Sequence, residues 1–364
     1  MNICIVATIC KETGALSIYN QLMSHLKEEQ QPDEHYYIFI DPSMPTPQLQ
    51  NVQYIKYATN GTRTRLKFDK SGFRLRCEEL GIHPDVIFSL NNTGVRYDGV
   101  RQFVYYHQAL PLYRHKFEHW DRSSIRLFVF QRMFPYFVKR SLTKDTEVVV
   151  QTNIVKTLFS KKYKFPEEHI HVAFPDLKEI ETEKVGTYDF ERGLFHFLYP
   201  AVSSVHKNHL ALVHALSQIK DPSLLSSIRI HLTIKRGDNP TIDKAIDRAG
   251  LGKQFVYHSS IPHDELLSMY KSAHALLFPS TIETIGLPLL EAASFGLPVV
   301  ANRIDFAMEV LKGYEGLQLA GMNNYPEWSN AIQQLCTERK RHKEYKLERG
   351  SSWPDLIKKI KNSK

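Results

Sequence analysis

Residues 278–301 read Phe278-Pro-Ser-Thr-Ile-Glu-Thr-Ile-Gly-Leu-Pro-Leu-Leu-Glu-Ala-Ala-Ser-Phe-Gly-Leu-Pro-Val-Val-Ala301. The apolar run Ala275 to Phe278 reads as a buried parallel strand. Pro288 fits the first turn of a helix, and Gly296 fits the position just past its end. Pro298 to Ala301 reads as the next strand. The result is a strand, loop, helix, strand unit whose loop lies at the carboxyl end of a strand, where open α/β sheets bind ligands. Free backbone N–H groups at a helix start suit an anionic ligand such as a diphosphate. Glu283 falls in the loop and Glu291 in the first helical turn, so both are expected to face one crevice.

This stretch resembles the E-x7-E segment of the group 1, or family 4, retaining glycosyltransferases, which have the GT-B fold. It keeps Pro279, Ser280, Glu283, Gly286, Leu287, Pro288, Leu290, Glu291, Ala292, Gly296, Pro298 and Val299. It departs at Ile285, where the family usually has Phe, and at Thr284, where Gly is common. The resemblance implies that Glu283 contacts the donor sugar and Glu291 the nucleotide ribose. It also implies that Thr284, Ile285, Gly286 and Leu287 line the donor. Without it, Glu291 reads as a carboxylate favoured by a helix dipole, and Glu283 as a solvated loop acid. The likeness is strong over 195–302, moderate in most of the first half and weak at 40–80.

A chain of 364 residues is long enough for two domains, each with its own core. Its 42% hydrophobic and 24% charged residues are ordinary for a globular protein. No apolar run is long enough to span a membrane. The start, Met1-Asn-Ile-Cys-Ile-Val-Ala, reads as a first strand and not a signal peptide. Cys4, Cys10, Cys77 and Cys336 have no C-x-x-C spacing, which fits a reducing cytoplasm. The net charge of +8 favours acidic partners. It concentrates in Lys56, Arg63, Arg65, Lys67, Lys70, Arg74 and Arg76, and again between Arg114 and Arg140, where bases alternate with Trp120, Phe128, Phe130, Phe134, Tyr136 and Phe137. Such mixtures suit an anionic membrane surface. No RNP-like, KH-like or zinc-finger pattern points to nucleic acid.

Strands are expected at 2–9, 36–40, 86–90, 103–106 and 148–151, with helices at 14–26 and about 121–141. The polar stretch 176–193 reads as a linker. Strands at 194–199, 229–234 and 255–257 then alternate with helices near 207–219, 240–249 and 263–273. Alternation of this kind gives mainly parallel sheets. The expected architecture is α/β: GT-B, two Rossmann-like domains facing across a crevice. The domains are placed at 1–178 for the acceptor and 190–345 for the nucleotide sugar. Residues 346–364 resemble the family's last helix, which crosses back to the first domain.

Lys207 follows the strand at 194–199 as a lone cation at a helix start, suited to a diphosphate leaving group. The family has such a Lys there. The family's partner Arg is missing, with Val202 or Ser203 in its place, and Arg236 or Lys235 is a candidate substitute. His107 ends a strand and resembles the family His that lines the donor-sugar site. Gly14 stands where the family has a glycine-rich loop near the donor phosphate and acceptor. His206 and His209 lack further ligands at metal spacing, and no D-x-D occurs, so no metal or other cofactor is expected.

These features lead to a retaining glycosyltransferase with Glu283, His107 and Lys207 as its catalytic residues. The donor would be a nucleotide-diphosphate sugar and the acceptor a glycan or lipid-linked glycan in cell-surface polysaccharide synthesis. The place would be the cytoplasm, peripheral to the inner membrane face. A sugar-nucleotide epimerase, a phosphorylase, or a non-catalytic binding protein on the same fold are the alternatives. The base, the sugar and the acceptor are not encoded legibly.

Overall fold

The computed structural model describes residues 1–11, 13–113, 122–177, 180–338, 340–346 and 352–363. The chain forms two units, Met1–Leu177 with Arg349–Lys364, and Lys178–Glu348. Unit 1 runs β1 (Asn2–Ala7), α1 (Thr13–Glu29), β2 (His35–Ile40), β3 (Val52–Lys56), α2 (Thr62–Lys67), a π-helical turn Phe68–Gly72, α3 (Phe73–Glu79), β4 (Val86–Ser89), β5 (Arg101–Tyr106), α4 (Arg122–Ser141), β6 (Thr146–Val150), α5 (Asn153–Tyr163) and β7 (Ile170–Val172). Unit 2 runs β8 (Phe195–Tyr199), α6 (His209–Leu216), α7 (Pro222–Ser226), β9 (Ile228–Leu232), α8 (Pro240–Arg248), β10 (Phe255–Tyr257), α9 (His263–Ser272), β11 (Ala275–Phe278), α10 (Leu287–Ser294), β12 (Val299–Asn302), α11 (Asp305–Val310), β13 (Leu317–Ala320) and α12 (Tyr325–Thr337). The last helix, α13 (Trp353–Lys361), belongs to unit 1.

Alternation along the strands assigns each side chain to a face. Ile3, Ile5 and Ala7 of β1 join Tyr36, Ile38, Phe103, Tyr105 and the α1 residues Ile18, Tyr19 and Leu22 in one core. Cys4 and Val6 join Phe39, Phe68, Phe73 and Cys77 in the core on the opposite face. Helix α13 completes the first core with Trp353, Leu356, Ile357 and Ile360. Trp353 stacks on Tyr105 at 5.6 Å with rings 8° apart. Its Nε1–H donates to Gln21 of α1. All four cysteines are buried and unbridged.

Both sheets are parallel. Unit 1 has the order β3-β2-β1-β4-β5-β6-β7, and unit 2 the order β10-β9-β8-β11-β12-β13. Each is wound outward from the middle, with the reversal between β1 and β4 in one and between β8 and β11 in the other. Such a reversal opens a crevice at the strands' carboxyl ends. In unit 2 the segment before β8 covers a hydrogen-bonded row of imidazoles. His258 Nε2 lies 2.7 Å from His231 Nδ1, and His231 Nε2 lies 2.9 Å from His196 Nδ1. Phe190 stacks on His196.

Candidate functional site

At the reversal of unit 2, two loops are braced against each other. Lys207 closes a short 3₁₀ turn after β8. The hydroxyl of Tyr199 donates to the Lys207 carbonyl. Thr281, beyond β11, donates its N–H and its hydroxyl to the His206 carbonyl at 2.8 and 3.0 Å. Buried Asn302 at the end of β12 donates through Nδ2 to the carbonyls of Pro279 and Ser280, at 2.5 and 3.1 Å. This bracing brings the ammonium of Lys207 onto the carboxylate of Glu283. Ser280 Oγ donates to the same oxygen at 2.8 Å. Lys207 is therefore not the lone cation expected from the sequence. With 16% and 13% of their side chains exposed, the two charges neutralise each other where water screens them weakly.

Gly286 caps α10 with φ +74°, the left-handed conformation that glycine adopts most cheaply. The helix begins at Leu287, which puts Glu291 fifth and in the second turn, not the first. Glu291 lies 3.0 Å from Nε2 of His263, the first residue of α9. The buried phenol of Tyr270, pushed well above its ordinary value by burial and then by Glu291, stays neutral beside it. Ile285 is buried, so only its backbone is available to a ligand, whereas Leu287 is exposed and Thr284 half-buried. Of the two candidate replacements for the missing arginine, Arg236 is clasped by Asp247 at 2.7 and 2.8 Å and lies over the Tyr257 ring. Lys235 is exposed. Among the described residues, no group of three or more His, Cys, Asp or Glu is arranged to hold a metal ion.

The reversal of unit 1 holds a different arrangement. His107, just past β5, receives two contacts from Asn92, a residue no sequence signal singled out. Its backbone N–H donates to Asn92 Oδ1 at 2.6 Å, and its ring Nε2 lies 3.2 Å from Asn92 Nδ2. The first bond fixes which atom of the amide is oxygen. The other is then a donor, so Nε2 must accept and the ring proton sits on Nδ1. That Nδ1 is buried without a partner among the described residues. Burial, and then the charge of Arg65, push the imidazole down to about 4. At neutral pH, His107 is therefore a neutral ring with an unspent N–H. Gly14, second in α1, has open space where a Cβ would stand. Lys11, before it, pairs with Asp41 at 2.6 Å.

The basic clusters separate in the structure. Arg65 is not a free surface base: its half-buried guanidinium is held among Asn91, Thr93 and Asp69. Arg74 and Arg76 are paired with Glu78 and Glu79. Arg63, Lys67 and Lys70 are exposed. Of the second cluster, Arg114, Lys116 and Trp120 lie outside the described residues. On α4, Phe134 is buried, while Ile125, Val129, Met133 and Tyr136 are 48%, 44%, 53% and 61% exposed. Their spacing of four, four and three residues makes one helical stripe. Arg126, Arg132, Lys139 and Arg140 are exposed on the same helix. No helix among the described residues is long and apolar enough to cross a membrane.

Residues 188–348 match the family described as glycosyl transferases group 1. A D-inositol 3-phosphate glycosyltransferase of Arthrobacter sp. is 26% identical over 146 residues, 39% of this chain and 34% of its own length. The O-antigen chain mannosyltransferase RfbU of Salmonella typhimurium is 24% identical over 213 residues, 57% of this chain and 56% of its own. The matched region thus spans about a third to a half of these relatives. Among solved structures, a sucrose-phosphate synthase from Thermosynechococcus elongatus superposes with a TM-score of 0.67 at 14% identity, over 99% of this chain and 94% of that one.

Proposed function

We propose, from the premise that unit 2 belongs to the group 1 glycosyl transferases and that the fold is GT-B, that this protein transfers a hexosyl group from a nucleotide-diphosphate sugar to a glycan or lipid-linked acceptor with retention of anomeric configuration. The likeness to an O-antigen mannosyltransferase favours a place in cell-surface polysaccharide synthesis. The observation that carries the reading is the Lys207–Glu283–Ser280 cluster at the carboxyl ends of β8 and β11, beside the N-terminus of α10.

In this reading a diphosphate draws Lys207 away from Glu283 and takes the N–H groups left at the start of α10, where Pro288 has none and Leu289 donates its own to the Gly286 carbonyl. Leaving-group charge grows in the transition state, so a fixed cation there acts mainly on turnover. Glu283, released, accepts hydrogen bonds from the donor hexose. Glu291 accepts from the ribose hydroxyls. His107 gives its Nδ1–H to a hydroxyl or phosphate oxygen of a sugar ligand. Lys207 and the helix N–H groups carry the phosphate charge, so the transfer is read as independent of metal.

A thermal-shift panel of UDP-glucose, UDP-galactose, GDP-mannose and ADP-glucose tests this. A ligand at 100 times its Kd stabilises the native state by about 2.7 kcal/mol. At least one donor is expected to raise the melting temperature, and transfer to a glycan acceptor to retain the anomeric configuration by NMR. A panel without any shift sinks the reading. Turnover without an acceptor points to an epimerase, and dependence on free phosphate to a phosphorylase.

A second partner, an anionic membrane surface, is favoured by the α4 stripe. Apolar Ile125, Val129 and Met133 with flanking bases suit the interface between headgroups and acyl chains. Each base near such a surface contributes roughly 1 kcal/mol, and salt reverses it. Sedimentation with liposomes should show binding that requires anionic lipid, declines with salt and is lost in Val129→Glu/Met133→Glu. Equal binding to neutral liposomes would leave a soluble acceptor as the better match.

A further inference from the structure

Behind His107 lies a chain of polar side chains that no step above employs. Arg65 is on α2, and Asp69 follows it in the π-helical turn, a feature that recurs at functional sites. The Arg65 guanidinium donates to the Asn91 carbonyl, and to Thr93 Oγ1 at 3.1 Å. Thr93 passes its own proton to Asp69 Oδ2 at 2.9 Å, and Arg65 Nε stands 3.8 Å from that oxygen. The arrangement closes a ring of Arg65, Thr93 and Asp69, with the Asn91 carbonyl as a second tether.

The same short loop is pinned from other directions. Asn91 accepts from the Ile9 N–H at 3.3 Å and donates to Thr8 Oγ1 at 3.0 Å. Ser89 donates to the Thr93 carbonyl at 2.7 Å and accepts from the Asn91 N–H at 3.3 Å. Both neighbours of Asn92 are therefore held. Asn92 itself sits at φ +63°, a left-handed conformation that persists in a non-glycine residue only where its surroundings fix it. Its amide is the clamp that decides where the His107 ring proton resides. Arg65 is the hub of this construction, and only a planar guanidinium supplies several donors in a rigid fork.

We propose that Arg65 and Asp69 are positioning residues that set the His107 tautomer. Acting through Thr93 and Asn91, they hold Asn92 so that the imidazole carries its proton on Nδ1 and offers it to a ligand oxygen. The use made of that proton rests on the transferase reading, but the tautomer does not.

The test is nitrogen NMR of the full chain labelled at histidine, with the His107 signals identified by their loss in His107→Gln. The two ring-nitrogen shifts report the tautomer directly. Wild type is expected to be neutral and Nδ1–H at pH 7. Thr93→Val removes the bridging hydroxyl at nearly constant volume, and Arg65→Lys keeps the charge but loses the fork. Each is expected to lower the ratio of Nδ1–H to Nε2–H about tenfold, as for the loss of one hydrogen bond. Asp69→Ala removes the acceptor of the Thr93 hydroxyl and is expected to lower the ratio likewise, whereas Asp69→Asn can still accept from Thr93 and should retain the wild-type ratio. Unchanged signals from His171, which lies 2.8 Å from Glu147 in unit 1, verify that unit 1 is folded in each variant. A wild-type ratio in both Thr93→Val and Arg65→Lys overturns the proposal, as does an Nε2–H ring in wild type. No donor enters the measurement, so failure to bind any nucleotide sugar strikes the transferase reading and leaves the tautomer result standing.

Discussion

The two units wind their sheets about the same kind of central reversal, yet furnish it in opposite ways. Unit 2 places there a compact ion pair, Lys207 with Glu283, whose acid lies in the run Pro279–Glu283 and whose brace is completed by Tyr199 and Asn302. Unit 1 gathers neutral amides and hydroxyls around a half-buried Arg65–Asp69 pair, about as exposed as the pair in unit 2, from segments spread between Thr8 and His107. An ion pair facing a crevice can give up one partner to a competing anion when the released carboxylate finds new donors among the ligand's hydroxyls. A clamped neutral network cannot be rearranged without leaving buried groups unbonded. Unit 2 is built to change partners and unit 1 to hold still.

The largest expected effect breaks the exchangeable side. Lys207→Ala should lower turnover about 10²–10³-fold while the donor KM moves only a few-fold, since the lost interaction strengthens in the transition state. Steady-state kinetics with the donor found by thermal shift decides it. A rise in KM at constant kcat would make Lys207 a uniform binder.

Glu291→Ala should weaken nucleoside diphosphate binding by about 1.5–3 kcal/mol, through loss of charge-assisted hydrogen bonds. Calorimetric titration with UDP, GDP and ADP measures it, and unchanged affinity removes Glu291 from the site. His263→Ala takes away only an exposed neighbour and should change affinity by less than about 1 kcal/mol.

Acid sharpens the contrast. Burial, reinforced by nearby positive charge, pushes His209 and His231 of unit 2 down to about 3. Below pH 6.5 the unfolded chain binds protons that folded unit 2 refuses. Stability is therefore full above that pH and falls with acid, by up to about 1.4 kcal/mol per pH unit for each such histidine. In unit 1, His107 at about 4 acts in the same direction. Asp69 opposes it: raised by burial to about 6 from 3.8, its folded carboxyl takes up a proton that the unfolded one does not. The lowered His171 in unit 1, and His196, His258 and His342 in unit 2, add to the acid loss. Calorimetry at pH 7 and 5 should show a larger fall for the transition that nucleoside diphosphate raises. Equal falls would erase the difference between the units.

The smallest expected effect is none. Turnover should survive saturating EDTA if Lys207 and the α10 N–H groups carry the phosphate charge. Loss of activity restored by magnesium or manganese would require a cation that neither reversal supplies.

How much of this was legible follows the same divide. The β11–α10–β12 unit was readable because strand, cap and acid lie within a few turns of chain. Glu291 falls one residue past the expected first turn because Gly286 caps the helix and Leu287 opens it, with Pro288 in the first turn as expected. The pairing of Lys207 with Glu283 joins positions 76 apart and leaves no local pattern. In unit 1, β3 (Val52–Lys56) was missed because an edge strand is only partly buried and lacks an apolar run. Strand β7 was missed because it is three residues long. Arg65 reads as one more base in a basic run, and only Asp69 and buried Thr93 around it reveal the difference. Asn92 matters through a backbone conformation that a sequence does not print.

Helix α13 gives unit 1 an unusual assembly problem. Its core includes Trp353, Leu356, Ile357 and Ile360, which arrive only after the whole of Lys178–Glu348 has intervened. During synthesis, the slot beside Tyr105 and Gln21 must therefore wait, open and apolar, while another unit is made. Closing so long a loop adds little to the equilibrium cost, because loop entropy grows only logarithmically. It adds much to the time during which a neighbouring copy can supply the missing helix. The same helix that seals the native core is thus the last part of unit 1 to be put in place.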